Sequence, residues 1–387
     1  MTDEQPDPRL STSSGSERPL RGASRISGAF SQILATEKLF LVFVMLGMFV
    51  IGATYTTPHI AMWVGFLFAS YAAIANDSIQ TIGTFIASNR QKPWWAMWLF
   101  IGGIFVVTVY VSWSTHNGDV SYERLSSKGF EQAPQNFEFL QVAAPLFLVI
   151  LTRLRMPVST TFLLLSSFAT ASKGITSMLT KSLTGYFLAF GLAVALWYPL
   201  GRWMERKFKG EAHPSWRIFQ WITSGVLWSV WIQQDAANIA VYLPRSMSAG
   251  EFTAFAGVIF IGLGILFKMG GERIQRVVDE KSNVVDVRSA TIIDLLYAVI
   301  LFVFKLSSKV PMSTTWVFLG LLAGRELSLS LRGASEGERT FRDALKLVAR
   351  DAGFAALGLI ISLIIATTTN EVVRESLFAD LKGLFGG

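Results

Sequence analysis

Met156-Pro157-Val158-Ser159-Thr160-Thr161 and Val310-Pro311-Met312-Ser313-Thr314-Thr315 are two copies of one phrase. In each, a proline is followed by one residue, by Ser-Thr-Thr, and then by an apolar run. The pattern predicts a helix start, with a proline just outside and a hydroxyl at the N-cap. The backbone N–H groups of its first turn have no acceptor within the helix. A helix start inside a bilayer is costly unless something occupies it. The free N–H groups and the positive end of the helix dipole both favour an anion.

The surrounding chain supplies the bilayer context. It has 387 residues, 51% hydrophobic and 16% charged, with a mean hydropathy of +0.45. Soluble domains carry about a quarter charged residues. Repeated apolar stretches of about 17–25 residues predict an all-α, polytopic membrane protein. Twelve Trp and thirty Phe suit interfacial belts and lipid-facing surface. The net charge of +7 comes from basic residues clustered in loops, so it does not point to nucleic acid. With no Cys there is no disulfide, thiolate metal site or cysteine nucleophile. His59, His116 and His213 are scattered, and no nucleophile–base pair or metal cluster appears, which argues against an enzyme. No cleavable signal peptide is evident, because the first apolar run begins near Leu39.

Residues 1–36, rich in Ser, Gly, Pro and Arg, predict a disordered N-terminal arm. Residues 37–58 hold an extra N-terminal transmembrane helix. Residues 59–210 and 211–369 then repeat one order of events, and 370–387 form a short interfacial tail. In the first half the apolar segment Ile60–Ser88 is interrupted by Ala75-Asn76-Asp77-Ser78-Ile79-Gln80-Thr81. In the second, Trp216–Leu243 is interrupted by Gln233-Gln234-Asp235-Ala236-Ala237-Asn238. Two spans follow in each half, then the Ser-Thr-Thr phrase. Asp77 precedes Ser159 by 82 residues, and Asp235 precedes Ser313 by 78. With Arg90/Lys92, Arg153/Arg155, Arg202–Lys209, the 270–288 loop and the 325–350 region on the cytoplasmic side, the two broken segments run in opposite directions. The halves are therefore expected to be inverted repeats with broken or re-entrant helices, the organisation of secondary transporters. About 11–12 membrane segments result, with the N-terminus inside, the C-terminus outside and some crossings turning back as hairpins.

Each interruption offers one carboxylate between two carboxamides: Asp77 with Asn76 and Gln80, and Asp235 with Gln234 and Asn238. A charged Asp in a span costs about 2.5–3.5 kcal/mol on insertion scales, so it faces a cavity and a partner. Ser159, Thr160, Thr161, Ser313, Thr314 and Thr315, with the amide nitrogens, supply hydrogen-bond donors for a tetrahedral oxyanion. The aspartates oppose an anion unless they hold a coupling cation or accept a proton from the substrate. Protonated phosphate has such a proton; sulfate does not, and would leave the acceptor unpaired. Asp294, mid-span in the second half where the first half has Gln141, binds the coupling cation or pairs with Lys305 or another base. Lys173 and Arg325 are read as C-terminal charges of the two Ser-Thr-Thr helices, and Arg245 as an interfacial anchor.

Taken together, Ala75-Asn76-Asp77-Ser78-Ile79-Gln80 with Pro157-Val158-Ser159-Thr160-Thr161, and Gln234-Asp235-Ala236-Ala237-Asn238 with Pro311-Met312-Ser313-Thr314-Thr315, resemble the inorganic phosphate transporter (PiT) family. That family carries Gly-Ala-Asn-Asp-Val-Ala-Asn and Pro-Val-Ser-Thr-Thr-His in each inverted half. The resemblance covers about residues 60–367 and implies cation-coupled uptake of inorganic phosphate, with the matching Asn, Asp, Ser and Thr positions around the anion and ions. The chain departs from the pattern at Ile74 (Gly in the family), at Gln80 and Gln234 (Asn), and at Phe162 and Trp316 (His). It therefore reads as a divergent member.

The expected partners are inorganic phosphate or a similar oxyanion such as sulfate, a coupling cation (Na⁺ or H⁺), and the lipid bilayer of a cell or inner membrane. No prosthetic group is expected, and a homodimer stays open. Two other classes remain. A passive channel would need a continuous polar stripe, which the short interruptions do not provide. A transport-inactive sensor or scaffold on the same fold would fit the altered amides and the added N-terminal arm.

Overall fold

In hydrocarbon a backbone must satisfy its own N–H and C=O groups, and a single segment manages this only as a helix. The computed structural model of the chain describes residues 21–89, 91–127, 129–153, 158–170, 172–208, 210–269, 286–331, 341–375 and 378–379, with no strand among them. Its helices are α1 (Arg21–Thr54), α2 (Pro58–Ala72), α3 (Ser78–Ser88), α4 (Trp94–Thr115), α5 (Phe139–Arg153), α6 (Ser172–Lys207), α7 (Ser215–Ala240), α8 (Ala249–Met269), α9 (Val287–Ser307), α10 (Thr314–Leu331) and α11 (Phe341–Thr369). Among the described residues seven helices are long and apolar enough to cross a membrane, and the chain is an integral, multi-pass membrane protein. The others are short, like α5 at 15 residues, or carry the polar motifs, as α7 does.

Two units separate, Met1–Phe49 and Val50–Gly387. In the first, helix α1 already runs from Arg21, so the segment expected to be disordered is helical over its second part. Residues 21–36 contain no proline, and a helix nucleated in the apolar run extends backwards at little cost. Residues 1–20 lie outside the described residues.

In the second unit α5 and the segment after it form a re-entrant pair. Gln141, at the start of α5, donates from Nε2 to Ser167 O at 2.8 Å, so the chain returns to the end it came from. Ser308–Ser313 likewise doubles back along α9, because Tyr297 Oη donates to Thr314 O at 2.9 Å. α10 then runs beside α6. Their backbones touch at Gly320 and Gly324, where an added Cβ would strike the carbonyl oxygens of Tyr186 and Phe190. Loop 116–138, Thr170, Arg245 and Asn370 gather at one end of the bundle. There Thr170 N donates to Gly129 O at 2.8 Å, Arg245 Nη2 to Gln132 O at 2.9 Å, and Asn370 Nδ2 to Ala169 O at 2.6 Å.

Several local expectations are corrected. α7 is continuous through Asn238, so its polar run occupies the last turns of an intact helix rather than a break. Ala236 and Ala237 are helix formers, and no Gly or Pro intervenes to open it. The first-half run begins in a π-helical turn, Ala73–Asp77, and continues into α3 from Ser78; the turn's extra residue changes the facing of Asn76 relative to α3. A second π-helical turn spans Thr161–Leu165, so the halves differ in local geometry. Lys173 lies in the first turn of α6, since the Ser-Thr-Thr segment has already ended at Phe168. Arg325 lies within α10, which continues to Leu331.

Candidate anion site

The two Ser-Thr-Thr turns meet. Thr161 Oγ1 donates to Met312 O at 3.1 Å, one residue before Ser313. Phe162 and Trp316, which follow the two turns, pack with ring centroids 5.2 Å apart. Each turn is capped as its sequence predicts. Phe162 N donates to Ser159 Oγ at 3.2 Å, and Trp316 N donates to Ser313 Oγ at 3.2 Å. This is the N-cap to N3 bond of a hydroxyl-capped helix. Met156 and Pro157 lie outside the described residues, so the first proline has no structural account. Ser182 Oγ on α6 accepts the Ser313 N–H at 2.8 Å and fixes the second turn.

Both aspartates stand at these turns. Thr314 Oγ1 donates to Asp235 Oδ2, and Asn238 Nδ2 donates to Asp235 Oδ1 at 3.1 Å and to Thr161 Oγ1 at 3.2 Å. α7 thereby ties the two turns together. Asn76 Nδ2 donates to Asp77 Oδ1 at 2.7 Å. Thr160 lies beside Asp77, although its hydroxyl makes no hydrogen bond of ordinary geometry. The carboxyls of Asp77 and Asp235 act on each other electrostatically. Gln234 turns its Nε2 to Leu301 O at 3.1 Å. Thr315 is buried with its neighbours. The side chain of Gln80 lies outside the described residues, so the first half's second amide is not placed.

The cluster is sealed: Ser313 is 0% exposed and Asn76 7%. Yet several of its polar atoms have no partner, namely Thr160 Oγ1, Gln234 Oε1, Asn238 Oδ1 and Trp316 Nε1. Leaving such a group unsatisfied costs about 1–3 kcal/mol. These atoms, with two carboxylates and the first-turn N–H groups, offer both donors for an anion and oxygen ligands for a hard cation. Among the described residues no group of three or more His, Cys, Asp or Glu gathers to hold a metal ion.

Asp294 is placed elsewhere. It accepts hydrogen bonds from Thr84 Oγ1 on α3 at 2.6 Å and from Ser224 Oγ on α7 at 2.5 Å. Gln220 Nε2 donates to Ser224 Oγ at 3.1 Å, and Asn89 Nδ2 to Gln220 Oε1 at 2.7 Å. Lys305 is not its partner; that ammonium sits 5.1 Å over the Tyr122 ring. Eleven positions, about three turns of α9, separate Asp294 from Lys305, which suffices to send them to different depths. Sequence reasoning missed Arg124, Lys181, Ser182 and Tyr297. The signal that was available for Lys181 is a lone ammonium in an otherwise uncharged apolar run.

No family model and no curated protein matches the chain. Among solved structures, a chain described as "The sodium-dependent phosphate transporter" matches with a TM-score of 0.52 at 16% identity, covering 82% of this chain and 98% of that one. At that identity the likeness shows a shared fold.

Proposed function

We propose that this protein is a secondary transporter of inorganic phosphate, driven by Na⁺ or H⁺ and working by alternating access. The observation that carries the reading is the direct meeting of two hydroxyl-capped helix starts, each with its own aspartate, inside a membrane protein. The two starts are contributed by separate halves in the same order, which fits an inverted-repeat transporter. That the solved structure sharing the fold is described as a sodium-dependent phosphate transporter supports the substrate and the cation.

Phosphate oxygens would take the first-turn N–H groups and the hydroxyls of Ser159, Thr160, Thr161, Ser313, Thr314 and Thr315. Asn76, Gln80, Gln234 and Asn238 would line the anion and its ions. Asp77 and Asp235 would hold the cation or accept the P–OH proton, and Asp294 would serve as a further cation site. Because Gln234 and Asn238 present unpaired oxygens, protonated phosphate is favoured over sulfate, which has no hydrogen to give them. The burial of the whole cluster requires a movement to open it to either side.

Radiolabelled phosphate uptake into proteoliposomes tests this. Expected is saturable uptake that needs an inward Na⁺ or H⁺ gradient, is competed by arsenate and is little affected by sulfate. Flux that is linear in concentration, or no uptake under either gradient, sinks the proposal.

Two variants sharpen it. Trp316→Phe removes a buried N–H that has no partner within the protein. Its phosphate KM should rise about tenfold while thermal stability holds or increases; a fall in stability with unchanged KM would make the indole merely structural. Asp294→Asn should weaken the apparent cation affinity about tenfold, with maximal uptake at saturating cation nearly preserved. An unaltered cation titration would remove Asp294 from the coupling site.

A further inference from the structure

Two basic side chains bind the short strap that leads into the second Ser-Thr-Thr turn, and a third from another element stands within electrostatic range of one of them. Arg124, from loop 116–138, is 1% exposed. It donates from Nε to Gln233 O at 2.7 Å and from Nη1 to Ser308 O and Lys309 O at 3.3 Å and Val310 O at 3.4 Å. Lys181 of α6 donates from Nζ to Ser308 O at 2.9 Å and Val310 O at 2.6 Å. Lys305, near the end of α9, is half-buried against the Tyr122 ring. Each lysine lies within electrostatic range of Arg124, and so does Asp235. Burial draws the Arg124 guanidinium down to about 10, so it remains charged at neutral pH.

Among the described residues, no carboxylate lies within ion-pair distance of any of the three. Glu123, next to Arg124 in the loop, is engaged by Lys309 of the strap. Buried cations are ordinarily paired. Arg124, held by carbonyl dipoles and the field of one aspartate, leaves a positive potential beside the anion site, with two lysine side chains next to it. The strap continues directly through Pro311 to Ser313, and Ser182, next to Lys181, accepts the Ser313 N–H.

We propose that Arg124, Lys181 and Lys305 form an outer holding site for the transported oxyanion, one step before the Ser-Thr-Thr turns. This rests on the transport reading above. Arg124 is fixed by its carbonyls and sets the field. The two ammonium groups exchange a carbonyl or a ring for phosphate oxygens, which make stronger charge-assisted bonds. The anion then passes along the strap to Ser313 and Thr314.

The test is initial-rate phosphate uptake by wild type, Lys305→Gln, the double variant Lys181→Gln/Lys305→Gln, and the charge-preserving Lys181→Arg/Lys305→Arg. The double glutamine variant should raise KM about five- to tenfold with maximal rate within about twofold. Its KM should also lose most of the rise that wild type shows between about 0.05 and 0.5 M salt. The arginine pair should stay near wild type. If the double glutamine variant does not fold, Lys305→Gln alone carries the test, with an expected KM rise of about two- to threefold. Glutamine variants with wild-type KM and salt dependence overturn the holding site and leave the transport reading standing. A wild-type protein that takes up no phosphate fells both.

Discussion

Asp235→Asn and Asp77→Asn should each lower phosphate uptake about a hundredfold while leaving the fold in place. Asparagine keeps the shape of the side chain and one carbonyl oxygen. At Asp235 the oxygen can still accept from Thr314 Oγ1 or from Asn238 Nδ2, but not from both, and the new NH₂ meets a donor. The larger loss is of charge. A neutral amide neither offsets a bound cation nor accepts the P–OH proton. Because the two carboxyls act on each other across the join, the double variant should be little worse than either single one, as for groups that work as a unit. Uptake kinetics together with thermal unfolding in detergent decide the matter. Single variants that keep half of wild-type uptake would remove both aspartates from the mechanism.

Gly320→Leu should abolish transport through the scaffold instead. A Cβ at this position would run into the Tyr186 carbonyl, and backbone cannot yield as a side chain can. α6 and α10 would separate, at a cost of about 3 kcal/mol, and α10 carries Thr314 and Thr315 at its start. The expected readout is a marked drop in thermal stability and loss of phosphate binding together. Gly103→Ala is the control, since nothing lies within 4 Å of a Cβ there, and it should change neither. A stable, transport-competent Gly320→Leu protein would show that the close approach of α6 and α10 is dispensable.

The helical class and membrane location were legible because apolar runs and their lengths are properties of the chain itself. The helix starts at Ser159 and Ser313 were legible for a related reason. An N-cap hydroxyl bonds the N–H three residues on, so the signal is local. The pairing of Asp235 with Thr314 was not local, and only the repeat hinted at it. The continuity of α7 and the π-helical turn at Ala73–Asp77 were misjudged, since packing decides whether a polar run opens a helix. Asp294 was left between two partners by sequence. Tertiary structure gave it Thr84 and Ser224, 210 and 70 residues away.

By itself, then, the sequence determined the solvent this protein lives in, where its chemistry-bearing helices begin, and which polar side chains sit where hydrocarbon penalises them. Tertiary structure alone decided that the two starts touch, that the Trp316 N–H and the side-chain oxygens of Gln234 and Asn238 are buried without partners, and that Arg124 and Lys181 converge on one strap. The division follows from the forces involved. Helix formation and capping act over a few residues, whereas a cluster of buried charges is set by which helices pack together.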